Sequence, residues 1–221
     1  MTAVRGFLVP GEDSLEWWWR LRAQHRGTGL WPVLMTPETP DELTPFRIRT
    51  PEEEAALRYD GAALLAGWFE GRLARYGGDY ADTLRAELRG EGEWRPRPEL
   101  PGFGVSEYAE EVFVALVPVA APWQVPLALH CGGWNEYPTP AEHAAILKHF
   151  HARYGAELVA MTDTTAEFTV KWPPRDRAGA LRLAAEYRVY NDGEYDYYGA
   201  DTLTDLAVSL SHATVWRAWW D

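Results

Sequence analysis

The sequence predicts an α+β fold, with helices packed on one face of a mainly antiparallel sheet and a helix-rich region before it. After residue 111 the predicted elements follow in the order β-β-α-β-β-α-α-β, which is typical of this class. Capping-box patterns mark two helix starts, and apolar residues recur at helical spacing after the second. The 221 residues are 47% hydrophobic and 24% charged, which suits folded domains and excludes disordered, collagen-like and coiled-coil chains.

The N-terminal half alternates short apolar runs with segments that carry helix signals. Asp13 and Glu16 form a capping-box pattern, and Pro51 stands at a first helical position after Thr50. The predicted elements are a strand over residues 4–9, a helix from 14 to about 25, a strand over 31–35, a helix from 51 to about 76 and a helix over 79–88.

Residues 90–104, GEGEWRPRPELPGFG, hold four glycines and three prolines. Such a composition sustains neither a helix nor a central strand. We interpret the segment as an interdomain linker or as a long loop over a site, because it is longer than most loops within a domain. The predicted division is an α/β region over residues 1–104, which ends in this segment, and an α+β domain over residues 105–221.

The C-terminal half carries clearer signals. Thr139 and Glu142 form a capping box with Pro140 in the first turn, and Gly155 ends the helix that they begin. The predicted elements are strands over residues 111–119 and 124–130, a helix over 140–154, a hairpin of strands over 157–162 and 166–172, helices over 176–190 and 203–210, and a final strand over 214–220.

Acidic residues number 33 against 21 basic ones, so the net charge is -12. This charge excludes nucleic acid and anionic membranes as partners, since both need a basic footprint. It favours a basic protein partner, and solubility alone is the alternative reason for it. No apolar run approaches the roughly 20 residues that span a bilayer, and the N-terminus lacks a signal-peptide pattern, so we expect a cytoplasmic protein.

The sequence indicates neither a metal site nor a cofactor. Cys131 is the one cysteine, which excludes an intrachain disulfide and a zinc site built on thiolates. Dinucleotide, phosphate-loop, serine-nucleophile and zinc-protease motifs are absent. His143 and His151 share one predicted helix but lie about 12 Å apart along its axis, which is too far to hold one metal ion.

His151 is the candidate general base, because an unperturbed histidine pKa of about 6.5 permits proton transfer near neutrality. The alternative is a hydrogen-bonded residue at the edge of the core. Gly132, Gly133, Trp134 and Asn135 form a candidate ligand loop, because glycines let the backbone approach a ligand and a helix start offers free N–H groups. The alternative is a tight strand-to-helix connection with Trp134 in the core.

Residues 186–205, EYRVYNDGEYDYYGADTLTD, interleave acidic side chains with tyrosines. Asp192, Glu194 and Asp196 are the candidate contacts for a basic partner, because tyrosines offer rigid contact area and carboxylates attract positive charge. The segment lacks the residue order of a calcium-binding EF-hand loop. A solvated surface loop is the alternative.

Twelve tryptophans are an unusual load for 221 residues. They indicate either an aromatic groove for a ligand or a core rich in large rings. The consecutive residues Trp17–Trp19 cannot all face one core at about 100° per residue, so Trp18 is a candidate ligand contact, as is Trp94. Core positions are predicted for Trp31, Trp172, Trp216 and Trp219 or Trp220.

The run HCGGWNEYP at residues 130–138, the helix end HARYGAE at 151–157 and the final VWRAWWD resemble the domain-of-unknown-function family numbered 4253. The resemblance covers roughly residues 112–221, and residues 16–34 look like the N-terminal part of longer members. It implies a fold family without an established reaction. The family pattern has cysteines where this chain has Tyr137 and Asn191–Asp192, so the resemblance carries no thiol chemistry over to this chain.

Two hypotheses about function follow. The first is a non-catalytic, acidic protein-binding module of the immunity or regulator kind, because the charge is strong and catalytic motifs are absent. The alternative is a small-molecule enzyme or ligand-binding protein, for example from a biosynthetic cluster. Its pocket would lie between the two halves, lined by Trp134, Asn135, His151 and aromatic residues from 17–31 and 94.

Overall fold

The computed structural model describes residues 4–42, 58–97, 102–105, 109–133, 138–162, 164–191 and 199–220. Six strands form its sheet: β1 (Gly6–Pro10), β2 (Leu30–Met35), β3 (Glu111–Pro118), β4 (Glu157–Met161), β5 (Thr165–Thr169) and β6 (Val215–Trp219). The helices are α1 (Ser14–Thr28), α2 (Thr39–Glu42), α3 (Gly61–Tyr76), α4 (Gly78–Leu88), α5 (Val125–Leu129), α6 (Pro140–Tyr154), α7 (Arg177–Tyr190) and α8 (Leu203–Leu210). Short 3-10 turns, Gly11–Asp13 and Pro122–Gln124, precede α1 and α5.

The strands lie in the order β1-β3-β2-β4-β5-β6. β2 and β4 pair in parallel, and the other four neighbouring pairs are antiparallel. The predicted α+β class and mainly antiparallel sheet are therefore confirmed. The domain boundary at residues 90–104 stays a prediction, and the sheet itself takes strands from both sides of it.

The two faces of the sheet are covered by different helices. Arg22 of α1 donates from Nε and Nη2 to the two carboxylate oxygens of Glu157 in β4, both at 2.7 Å. Neighbouring residues on a strand point to opposite faces, so Leu158 and its cross-strand partner Phe168 face away from α1. The partner of Phe168 in turn is Trp216, which packs against α6. α6 and α7 thus cover one face, and α1 adds cover on the other.

The local signals of α6 act as the sequence predicts. Thr139 Oγ1 accepts a hydrogen bond from the Glu142 N–H at 3.3 Å, and Glu142 Oε2 accepts one from the Thr139 N–H at 2.8 Å. Gly155, at a φ of 62°, ends the helix in the left-handed conformation that favours glycine. Both ends of α6 are therefore determined within its own sequence.

The predicted strand over residues 124–130 is wrong, because these residues form α5. Periodicity does not separate a short apolar run in a strand from one in a helix. Pro126 lies in the first turn of α5, where its missing N–H has no helical partner to lose. His130, at a φ of 54°, then ends the helix in a left-handed conformation.

The predicted helix from residue 51 to about 76 falls partly outside the described residues. Its described part, α3, begins at Gly61, and Asp60 accepts hydrogen bonds from the backbone N–H groups of Ala62 and Ala63. Gly61 lies against α6, because an added Cβ there would come within 2.2 Å of the Ala145 carbonyl oxygen. The glycine at this position lets the two helices pack closely.

The described parts of the Pro/Gly-rich segment, residues 90–97 and 102–105, are bound to the C-terminal half. Arg177 Nη2 donates to the carbonyl oxygens of Gly90, at 2.7 Å, and Gly92. The Arg177 guanidinium also lies 5.4 Å from the centre of the Trp94 ring. Residues 90–97 are therefore attached to the start of α7, and we call the described residues 90–97 and 102–105 the strap.

A buried ion pair holds the far end of this strap. Glu167 of β5 has no solvent exposure, and its Oε1 lies 3.2 Å from Nε of Arg217 in β6. The same carboxylate accepts the N–H of Gly104 at 2.8 Å and that of Val105 at 3.3 Å. A Cβ at Gly104 would come within 2.1 Å of Arg217 Nη1, so the Arg217 side chain would have to move to accept a larger residue here.

Candidate functional site

His151, the candidate base, lies in the last turn of α6 and is half-buried. Its Nδ1 atom lies 3.0 Å from the carbonyl oxygen of Ala156, one residue before β4. The imidazole therefore links the end of α6 to the start of β4. Its role as a general base stays a prediction.

Gly132 and Gly133 connect α5 to α6, so they join two helices and not a strand to a helix. Both have positive φ angles, 105° and 87°, which glycine adopts without the steric cost of a side chain. The N–H of Gly133 donates to the Pro138 carbonyl at 3.0 Å, which closes the turn. Trp134 and Asn135 lie outside the described residues, and their place in a ligand loop stays a prediction.

Trp18 is fully buried, and its Nε1–H donates to the Pro32 carbonyl at 3.0 Å. Its ring packs edge-to-face against Trp31, with 6.0 Å between ring centres. The next residue, Trp19, is 48% exposed. The consecutive tryptophans thus point in different directions, as expected. Trp18 packs in the core, and its assignment as a ligand contact stays a prediction.

The other tryptophan predictions have mixed outcomes. Trp31, Trp216 and Trp220 are buried, as predicted. The core position predicted for Trp172 is wrong, because this ring follows the end of β5 and is 55% exposed beside Lys171. Trp94 is half-buried under Arg177, and its assignment as a ligand contact stays a prediction. The acidic candidates of the tyrosine-rich segment lie outside the described residues: Asp192, Glu194 and Asp196.

His143 is the centre of a buried aromatic cluster. Its Nδ1 atom lies 2.9 Å from the Tyr190 hydroxyl, and its ring meets those of Tyr190 and Trp220 edge-to-face. Burial lowers the pKa of His143 to about 3 and raises the pKa of Tyr190 well above its ordinary value. Both side chains are therefore neutral at pH 7. Trp216, which packs on Phe150 and Tyr187, extends the cluster and accounts for much of the tryptophan load.

A cavity of about 260 Å³ opens between α4, α7 and the start of α8. Tyr80 and Leu84 of α4 give it an apolar wall, and Thr83, Thr202 and Leu203 complete the lining beside the charged residues. The charged residues of its lining that the structure describes are Asp79, Glu87, Arg188 and Asp201. Of the residues predicted to line a pocket, none that the structure describes is in the lining of this cavity.

The charged side chains of this cavity differ in whether they form hydrogen bonds or ion pairs with the described residues. Glu87 is buried, and its carboxylate accepts the N–H of Leu203 at 3.1 Å and that of Thr204 at 3.5 Å, so it caps the start of α8. Arg188 makes no hydrogen bond or ion pair with any residue that the structure describes, and its Nε atom is buried without a partner. Asp79 and Asp201 are exposed and likewise form no ion pair within the described part of the chain.

Sequence reasoning missed this cavity and the Glu167–Arg217 pair. Glu167 had one local signal, since it is a charged residue inside the strand run TAEFT, where both faces are buried. Arg188 had no local signal in the sequence. An arginine near the C-terminus of a helix is common on exposed surfaces, because the helix dipole favours a positive charge there. Only the packing of α4 and α8 against α7 distinguishes it.

The chain was compared with family models, with curated proteins and with solved structures. Residues 113–221 match the family model described as Domain of unknown function (DUF4253). The C-terminal half is a DUF4253 domain. This confirms the resemblance over that part of the chain. No curated protein and no solved structure gave a significant match.

The sheet of the DUF4253 domain is completed by strands that precede it. The matched residues contain nearly all of β3 and all of β4–β6, while β2 lies between β3 and β4 in the sheet. The cavity is shared in the same way, because Arg188 and Asp201 belong to the DUF4253 domain, and Asp79 and Glu87 belong to α4.

Metal-binding groups and membrane-spanning helices can be assessed within the described ranges only. Within them, no group of three or more histidine, cysteine, aspartate or glutamate side chains is placed to hold a metal ion. None of the helices that the structure describes combines the length and the apolar character needed to span a bilayer.

Proposed function

We propose that this protein is a non-catalytic, cytoplasmic binding module whose acidic surface docks a basic protein partner, as an immunity protein or a regulator does. The observation that carries the proposal is the placement of its charge. The net charge is -12, and among the described acidic residues only Glu87 and Glu167 are buried. The remaining described carboxylates are exposed or half-buried, and the exposed ones attract a positively charged surface.

Four of the six histidines favour a binding role over catalysis, because one ring nitrogen of each contacts another group of the fold. His25 Nε2 lies 2.8 Å from the Val119 carbonyl oxygen, and His149 Nε2 lies 3.1 Å from Glu186 Oε2. His143 and His151 have the hydrogen bonds described above. A base in catalysis needs a ring nitrogen that reaches a substrate proton.

We place the docking contact at the acidic, tyrosine-rich segment, residues 186–205. The two described ends of this segment are fastened to the fold. Asn191 Oδ1 accepts the N–H of Trp219 at 2.6 Å, and Thr202 Oγ1 accepts the N–H of Asp205 at 3.0 Å to cap α8. Asp192, Glu194 and Asp196 lie between these two ends in the sequence, and we propose them as the contacts for the basic partner.

The test measures binding to the basic proteins encoded next to this chain, each purified and titrated against the immobilised full chain. We expect one of them to bind, with an affinity that falls about tenfold or more between about 50 and 200 mM salt. The triple variant Asp192→Asn, Glu194→Gln and Asp196→Asn should weaken binding at the lower salt concentration. No binding among these proteins would overturn the proposal.

A charge-matched control separates docking at this segment from general charge attraction. The variant Glu12→Gln, Glu16→Gln and Glu111→Gln removes three exposed carboxylates that belong to α1 and β3 or lie beside them. It should bind the partner as the unmodified chain does. Equal losses in both triple variants would show that net charge alone drives the contact.

The alternative, a small-molecule enzyme with a tryptophan-lined pocket between the halves, stays a prediction. Of its expected lining, Trp134 and Asn135 lie outside the described residues, Trp18 is in the core and His151 binds the backbone. His151→Ala would test it, because loss of a turnover with unchanged folding would favour the enzyme.

A further inference from the structure

We propose that the cavity between α4, α7 and the start of α8 binds a small amino acid in its zwitterionic form. The Arg188 guanidinium takes the carboxylate, and Asp79 and Asp201 at the mouth take the ammonium group. This site is independent of the proposed protein docking, because it uses none of the three carboxylates assigned to that contact.

Arg188 carries a guanidinium that forms no hydrogen bond or ion pair with the described residues. A guanidinium offers five N–H donors and remains charged in proteins, so it is among the costliest groups to leave without partners. Arg188 lines the cavity, yet it has no partner in the described structure and its Nε atom is sealed from solvent. A guanidinium in the lining of a cavity can donate two parallel hydrogen bonds to one carboxylate.

Glu87 lines the same cavity, but its carboxylate is already hydrogen-bonded to backbone N–H groups. Its oxygens accept the N–H groups of Leu203 and Thr204 at the start of α8, where the helix dipole offsets its charge. It forms no ion pair with Arg188. The positive charge of Arg188 is therefore available to a bound anion, while the negative charge of Glu87 is held by the helix.

The mouth of the cavity favours the opposite charge. Asp79 begins the first turn of α4, and Asp201 lies two residues before α8. Both line the cavity, and neither forms an ion pair in the described part of the chain. A simple carboxylate ligand would meet these two negative charges on entry, whereas a ligand that also carries an ammonium group is attracted by both ends of the site.

The volume limits the ligand to a small one. At about 30 Å³ per water molecule, 260 Å³ corresponds to about nine waters and lies below the usual range of roughly 300–1,000 Å³ for ligand pockets. Tyr80 and Leu84 offer apolar contact to a short side chain. Amino acids such as alanine, serine, threonine and valine match this combination of size and charge.

The test is calorimetric titration of the full chain with L-alanine, L-serine, L-threonine and L-valine at pH 7, beside propionate and ethylammonium as single-charge probes. We expect at least one amino acid to bind with a Kd of about 1 mM or below. Propionate and ethylammonium should each bind at least about tenfold more weakly than that amino acid. Absence of amino acid binding up to about 10 mM would overturn the proposal. Equal binding of propionate, or binding of ethylammonium alone, would overturn it as well.

Arg188→Met and Arg182→Met form a matched pair on α7, since Arg182 is exposed and does not line the cavity. We expect Arg188→Met to abolish binding and Arg182→Met to preserve it. Because Arg188 makes no hydrogen bond in the described structure, Arg188→Met should also keep the Tm of the ligand-free chain. Amino acid binding that survives Arg188→Met would refute the assigned role.

The variant Asp79→Asn with Asp201→Asn gives a second, independent measurement. It should weaken amino acid binding about tenfold and leave propionate binding equal or stronger, because the negative charge at the mouth is gone. Unchanged amino acid binding in this variant would overturn the role of the mouth. The Asp192→Asn, Glu194→Gln, Asp196→Asn variant should bind amino acids normally, which separates this inference from the protein docking.

Discussion

Lowering the pH from 7 to 5 should destabilise the protein through His143, which lies fully buried between Tyr190 and Trp220. Burial lowers the pKa of His143 from 6.5 to about 3, so the folded protein keeps this imidazole neutral at pH 5. The unfolded chain, in contrast, takes up a proton there below pH 6.5. Stability is therefore intact above pH 6.5 and is lost progressively as the pH falls from 6.5 to 3.

The magnitude follows from the gap between the pH and the pKa in the unfolded chain. At pH 5 this gap is about 1.5 units, and each unit changes the free energy of unfolding by about 1.4 kcal/mol, so the loss is about 2 kcal/mol. The folded pKa lies well below pH 5 and hardly affects this figure. A loss of this size is a substantial part of the roughly 5–15 kcal/mol that stabilises a typical domain.

Urea unfolding followed by tryptophan fluorescence at pH 7, 6 and 5 measures this loss. His143→Asn places an amide near the position of Nδ1, where it can still meet the Tyr190 hydroxyl, and it does not titrate. The variant will be less stable at pH 7, but its further loss down to pH 5 should be smaller than that of the unmodified chain by about 2 kcal/mol.

His212→Asn is the control, because His212 is exposed and lies outside the aromatic cluster. It should follow the pH dependence of the unmodified chain. If His143→Asn lost as much stability between pH 7 and pH 5 as the unmodified chain, then His143 would not carry the pH dependence and the account of its burial would be wrong.

Three further predictions concern contacts that hold the fold. Gly61→Ala should destabilise the chain by roughly 1–3 kcal/mol in urea unfolding, because the added methyl group clashes with Ala145. Gly67→Ala lies in open space on the same helix and should stabilise the chain by about 0.5–1 kcal/mol. Equal effects of the two variants would refute the α3–α6 contact. Glu167→Ala should cost about 3–5 kcal/mol, because it leaves a half-buried guanidinium and two buried N–H groups without their carboxylate. A Tm within a degree or so of the unmodified chain would contradict this. Arg22→Lys should cost about 1 kcal/mol or less, an effect that rising salt removes, because this half-exposed side chain loses its two-point bond.

The DUF4253 domain and the preceding half of the chain depend on each other in this fold. β2 separates β3 from β4, so the matched residues alone would leave a gap in the sheet. The strap adds a second dependence, because Arg177 and Glu167 of the DUF4253 domain hold its two ends. Functional tests therefore need the full chain, because residues 113–221 by themselves lack β2 and the strap.

Sequence reasoning predicted the elements that local contacts define. The ends of α6 follow from Thr139, Pro140, Glu142 and Gly155, which lie within or beside the helix that they delimit. The hairpin β4–β5 and the caps Asp176 and Thr202 of α7 and α8 follow equally from short-range signals. The strand predicted over residues 124–130 was wrong for the opposite reason, since an apolar run with one proline is compatible with both states.

Candidate site residues were harder to place, because their roles depend on neighbours that are distant in sequence. Trp18 and Trp19 are adjacent and identical in type, yet one is buried and the other is 48% exposed. The direction in which α1 faces the sheet makes this difference. Arg182 and Arg188 lie on the same helix, yet Arg182 is exposed and Arg188 lines a cavity with residues of α4 and α8.

The sequence by itself determined the α+β class, the family of the C-terminal half, the strong negative charge and the ends of most helices, because composition and short-range capping are properties of neighbouring residues. The tertiary structure alone decided that β2 enters the sheet between β3 and β4, that Glu167 meets Arg217, and that Arg188 lines a cavity with no partner among the described residues. These features join residues that are tens of positions apart, and burial and pairing at such distances follow from how the helices and strands pack together.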